Sequence, residues 1–188
     1  MESQLRQRLE AFLRPLYQDL DGVSRFEDVD RIEALARGVA GNGELGVHLE
    51  LLVLFHRLGG WLARMGNASR VVLAAGGVLQ KDVVAQTSDS LAHLDAPRNE
   101  AERVIAAALL IDSAGVRGVV SRLAHARRDG QSMSGAAAEF LSEKIEAPEW
   151  MNERARELLR LRTEAARSFA QQVIDEENLA DLKIAIRR

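Results

Sequence analysis

The sequence predicts an all-α protein, a helical bundle of about seven or eight helices in one domain over residues 1–188. Three observations carry that prediction. Apolar residues recur at helical spacing through nearly every segment. Ala, Leu, Arg, Glu and Val dominate a chain with only three prolines, a composition that favours helix. Alternation at the strand period occurs only in the terminal "DLKIAIRR", which is short and is expected to fray.

The elements follow in order. Residues 2–20 place Leu5, Leu9, Phe12, Leu13, Leu16 and Leu20 on one stripe, with Pro15 expected to kink or divide the helix because it removes a backbone donor. In "DGVSRFEDVDRIEALARGVAG", Ser24 and Glu27 read as a capping box, and Phe26, Val29, Ile32, Leu35, Ala36 and Val39 form the buried face. Residues 44–58 are apolar nearly all round, as a central helix covered by neighbours is. Residues 68–94 read as one or two helices with "AAGG" at 74–77 as the break. "LDAPRNEAE" turns into a helix over about residues 98–111, with Pro97 near its first turn. "DSAGVRG" is a second kink, helix resumes to about Ala126, and "RRDGQSMSG" is the clearest loop. Residues 134–146 form a short helix, and Pro148 opens a long amphipathic one carrying Trp150, Met151, Leu158, Leu161, Ala165, Phe169 and Val173.

Bulk properties narrow the function. Apolar residues make up 47% of the chain, too many for a disordered protein. No apolar stretch approaches the roughly 20 residues of a membrane span, and the charged start "MESQLRQRLE" has no signal-peptide core, so a cytoplasmic protein with no membrane partner is expected. The absence of Cys excludes disulfides and thiolate metal sites. Twenty-five basic residues against 28 acidic ones, with 4% aromatics, give no electrostatic or stacking case for nucleic acid.

One polar interruption draws attention. In "VLFHRLGGW", residues 53–61, an imidazole and a guanidinium, His56 and Arg57, stand at the end of an apolar run. Together with "SRFEDVDRI" at 24–32, "AALLIDSAGVRG" at 107–118 and the tail from Phe140, this order of segments resembles the HD-domain superfamily of metal-dependent phosphohydrolases, in its small stand-alone bacterial branch. The resemblance spans most of residues 5–176. It implies an HD-like helical bundle in which an H-D-x-x-H-x-x-R-V motif, an L-L-H-D-[IV]-G-D-W motif and a D-A-D-R-L-D-A-x-G-A-x-G motif hold a divalent cation. It also matches Lys144 to the family's E-K-L element.

The departures from that pattern decide the reading. The first motif's His and Asp fall on Ser24 and Arg25, and its second His on Asp28. Of the H-D pair His56 survives and the Asp has become Arg57. In the third motif the first two acids fall on Ala107 and Leu109, and only Asp112 remains. A hard divalent cation needs several converging oxygen or imidazole ligands, and a fixed guanidinium charge beside the one surviving imidazole repels it. No metal, no cofactor and no metal-driven hydrolysis are expected.

Each candidate then has two readings. Ser24 is an N-cap rather than a nucleophile. His56 is either a satisfied core histidine or an acid–base group. Asp112 either caps the helix at the kink or faces His56, and with Asp28 nearby such groups would suit proton transfer. Arg57 and Arg25 invert the sign of the pocket and would grip a carboxylate, phosphate or enolate; alternatively Arg57 pairs with Asp28 or Asp112 and plugs the vacated site. Trp61 is a core wall or a stacking ring, and Lys144 reaches the pocket or sits on the surface. Two functions follow. The first is a pseudoenzyme that binds a small anionic molecule or a protein partner, with a homodimer possible. The second is a metal-independent isomerase, dehydratase or cyclase using His56 and Asp112.

Overall fold

The computed structural model describes residues 1–18, 20, 26–41, 46–64 and 66–186, with side chains to residue 178. It is all-helical, with ten helices among the described residues: α1 (Ser3–Gln18), α2 (Glu27–Ala40), α3 (Val47–Phe55), α4 (Gly59–Leu62), α5 (Asn67–Ala74), α6 (Lys81–Ala92), α7 (Glu100–Ala114), α8 (Val116–Arg128), α9 (Met133–Ser142) and α10 (Glu153–Ile186). The count exceeds the sequence expectation because glycines cut the middle of the chain into short pieces. The chain forms two compact units, Met1–Ala108 and Leu109–Arg188, and α7 runs across their boundary.

In the first unit, the predicted face of α2 is the buried one: Phe26, Val29, Ile32, Leu35, Ala36 and Val39 are all buried. Helix α3 buries every residue from Leu51 to Phe55, which is why its sequence shows almost no polar face. It stops at Phe55, so His56 and Arg57 lie in the turn beyond it rather than inside a helix reaching residue 58. Pro15 does not divide α1. Its ring is exposed, as is Ala11, so the carbonyl that loses its partner faces water. Helix α2 begins at Glu27 with Phe26 at the cap position, and its first turn carries Glu27, Asp28 and Asp30, which complement the helix dipole. Ser24 and Arg25 lie outside the described residues.

Helix α5 ends in two successive left-handed glycines, Gly76 (φ 69°) and Gly77 (φ 75°), with the Gly77 N–H donating to the Val72 carbonyl at 2.9 Å. That closing bond is the "AAGG" break between α5 and α6. Helix α7 starts at Glu100 rather than 98, because the Asn99 side chain accepts from the Glu102 N–H at 3.0 Å and so serves as the cap.

The second unit packs α8, α9 and α10 around Val119, Ala137, Phe140, Ala166 and Ala170, with Leu123, Ile145 and Phe169 alongside. Helix α9 ends at Ser142, short of the expected residue 146. Pro148 opens a turn, not the long helix: the Met151 N–H donates to its carbonyl, and Asn152 caps α10 by accepting from the Ala155 N–H at 2.8 Å. The buried residues of α10 are Ala155, Leu159, Ala166 and Ala170; of the expected face Phe169 and Val173 pack against this core and Met151 is buried, while Leu161 and Ala165 lie outside it. Small residues win that face because alanines let the neighbouring helices approach closely. The terminal "DLKIAI" stretch continues α10 to Ile186 instead of fraying.

Candidate functional site

The turn after α3 builds the site in the first unit. Two donors converge near the end of that helix. The Tyr17 hydroxyl, from α1, donates to the Leu54 carbonyl at 2.9 Å and lies 3.3 Å from His56 Nδ1. His56 Nδ1 also lies 2.7 Å from the Val53 carbonyl. A carbonyl only accepts, so Nδ1 carries the hydrogen and Nε2 is the nitrogen that takes the second proton. The orphan carbonyls that every helix end leaves are thereby satisfied by side chains.

Tyr17 is fully buried, with Phe26 edge-on to its ring at 5.5 Å and the His56 ring at 5.9 Å. Burial pushes its hydroxyl pKa well above the usual phenol range; the Arg57 backbone N–H and charge pull against that, and Asp28 adds to it. Tyr17 is therefore a neutral donor at any ordinary pH. Asp28 is buried and paired with Arg31, whose Nη1 lies 2.6 Å from its carboxylate. Asp28, His56 and Arg57 thus surround one tyrosine. Arg57 is exposed and makes no ion pair among the described residues.

Trp61 is half-buried against Phe12, with ring centroids 6.0 Å apart, and its carbonyl accepts from the buried Asn67 amide. Asp112, in the last turn of α7, and Lys144 belong to the second unit; Lys144 is exposed and pairs with Glu146. Arg25 lies outside the described residues. A groove of about 390 Å³ runs between α4 and α6, lined by Gly59, Gly60, Ser88, Asp89 and Leu91 among others, with neither His56 nor Arg57 in its wall. Gly59 keeps that groove narrow-walled, since a β-carbon there would meet the Leu91 side chain at 3.3 Å.

A second polar cluster in this unit was not anticipated. Glu102 is fully buried, yet accepts from the Ser90 hydroxyl at 2.7 Å, the Arg98 N–H at 2.6 Å and the Arg98 guanidinium at 3.1 Å. Burial would raise its pKa, but the donors from Arg98 and Ser90 outweigh that and hold it at about 2. His48 Nε2 lies 3.3 Å from the same Ser90 hydroxyl oxygen. Because that hydroxyl spends its hydrogen on Glu102, Nε2 is the donor, and the buried Nδ1 has no partner. A second proton on His48 would have to be buried unpaired, and burial lowers its pKa accordingly. The legible signals were the N-x-x-E pattern of Asn99–Glu102 and the position of Tyr17 one turn beyond Leu13.

Among the described residues, no three His, Cys, Asp or Glu groups converge where they could hold a metal ion. No single helix among them is long and apolar enough to cross a membrane. No family model, curated protein or solved structure matches the chain.

Proposed function

We propose that this chain is an HD-like helical domain in which the position of the metal centre has become a site for a small anionic or carboxylated molecule, and that phosphohydrolase chemistry has been lost. The observation that carries this reading is Arg57: an exposed guanidinium with no ion pair among the described residues, beside an imidazole whose tautomer is fixed. Elsewhere in the unit the arginines Arg6, Arg31, Arg37 and Arg98 each hold a carboxylate. A planar fork of donors left open to solvent fits a carboxylate or phosphate bidentately.

Calorimetric titration with phosphate, pyrophosphate and malonate, in the presence of a chelator, tests this. Binding by the wild-type chain is expected to weaken by about tenfold or more in Arg57→Gln and by less in Arg57→Lys. Nucleotide hydrolysis that requires Mn²⁺ or Mg²⁺ and dies with His56→Ala would overturn it. Equal binding by wild type and Arg57→Gln would place the anion away from Arg57 and overturn the reading, whereas no binding by either would leave the domain as an interaction module alone.

A further inference from the structure

The most exposed large apolar side chains on the described surface are Leu73, 77% exposed, and Val78, 66% exposed. They flank the two left-handed glycines that close α5. From Val71 to Gln80 the chain carries no charged group, and Gly76 and Gly77 put no side chain over the turn. Leu79 folds inward and is buried, so the turn directs Val78 outward beside Leu73 as an apolar knuckle.

Cations predominate around this knuckle, with Asp82 beside Lys81 the nearest acid in the sequence. Arg70 stands one turn before Leu73 on α5, and Lys81 opens α6 three residues after Val78. Arg8, from α1, lays its guanidinium on Gly76, with Nη1 2.6 Å from where a β-carbon would sit. All three are exposed, and none makes an ion pair among the described residues. Over residues 58–88 the chain has three Arg or Lys, Arg64, Arg70 and Lys81, against a single acid, Asp82, although its net charge is −3. The local excess of positive charge is therefore set against the sign of the whole.

From this juxtaposition we infer that the α5–α6 knuckle docks on an anionic lipid surface, Leu73 and Val78 entering the headgroup boundary and Arg8, Arg70 and Lys81 resting on phosphates. From Val71 to Gln80 only Gln80 has a hydrogen-bonding side chain, so the knuckle offers a protein partner little to fix a register, whereas a bilayer interface needs only apolar insertion and cations. The sequence gives no reason to expect a membrane partner; the exposure of the two side chains is the new observation. It is independent of the Arg57 site.

Sedimentation of the full chain with vesicles tests the inference, comparing pure phosphatidylcholine with phosphatidylcholine containing about 30% phosphatidylglycerol. Partitioning is expected to be about tenfold higher on the anionic vesicles and to fall back by a similar factor in Leu73→Ser/Val78→Ser. Arg70→Gln/Lys81→Gln, or high salt, should also weaken it. These residues are exposed, so far-ultraviolet circular dichroism of each variant should match wild type, and the comparison stays interpretable. Equal partitioning on both vesicle types would overturn the inference. So would binding to soluble polyglutamate that ignores Leu73 and Val78, which would indicate an acidic protein partner. A dimer in solution that disappears with the Ser variants would assign the knuckle to self-association and overturn it likewise.

Discussion

Replacing Glu102 tests how the first unit is held together. Its carboxylate accepts four hydrogen bonds, at 2.6, 2.7, 3.1 and 3.5 Å, from groups on the turn before α7 and on α6. Glu102→Ala strands the Arg98 N–H and the Ser90 hydroxyl and should cost about 2–4 kcal/mol, at about 1–3 kcal/mol for each buried donor left unpaired. Glu102→Gln keeps one acceptor. Its amide also forces Ser90 to turn its hydrogen toward His48, which moves the imidazole proton onto the buried, unpartnered Nδ1. That swap should cost about 1.5–3 kcal/mol. The half-exposed Arg98 guanidinium adds little, because solvent screens it. The folded pKa of about 2 lies below the ordinary 4.5, so the carboxylate's contribution is complete above about pH 4.5 and is lost as pH falls toward 2. Urea unfolding followed by circular dichroism at neutral pH and at about pH 3 measures both effects, and the gap between wild type and Glu102→Gln should shrink to about half or less at the lower pH. A cost for Glu102→Ala below about 1 kcal/mol, or a gap that ignores pH, would refute the reasoning.

Two further substitutions probe other levels of the fold. Tyr17 is the chain's single tyrosine, so its ionisation can be followed alone. With its pKa raised by burial above the ordinary 10.0, the stability it contributes is present below pH 10 and is lost as pH rises, so tyrosinate absorbance should appear only with unfolding. Titration near pH 10 in the folded chain would contradict this placement. Tyr17→Phe should cost about 1–2 kcal/mol through the unpaired Leu54 carbonyl, read by thermal unfolding. Gly118→Ala pits two effects against each other. Helix propensity favours Ala by about 1 kcal/mol, but a β-carbon there would sit 1.8 Å from the Ser113 carbonyl oxygen. The clash should win, with a net loss of about 2 kcal/mol or more and a lower melting temperature; a higher one would contradict the close approach.

Much of the fold was legible because burial follows helical periodicity. The α2 face and the all-round burial of α3 follow from spacing alone. The failures have local causes. Pro15 is tolerated because its lost hydrogen bond faces water, and Pro148 yields to Asn152, a better cap than a proline four residues earlier. The α10 face was legible in Phe169 and Val173 but not in its centre, because alanines, weak hydrophobes on any scale, take the core while Leu161 stays outside. At the site, His56 and Arg57 stood out as polar residues ending an apolar run. Tyr17 did not, although a lone phenol on a buried stripe must find an acceptor. The Glu102 cluster joins residues 48, 90, 98 and 102, a separation that no local pattern records.

The central claim is that Arg57, beside a tautomer-fixed His56, receives an anion without help from a metal. Nitrogen-edited NMR of the two side chains during a pyrophosphate titration, with chelator present, tests it most directly. Saturable shifts of the Arg57 Nε–H and the His56 ring nitrogens, absent in Arg57→Gln, are predicted. Signals that stay still under pyrophosphate, together with stoichiometric Mn²⁺ broadening centred on the His56 ring, would contradict it.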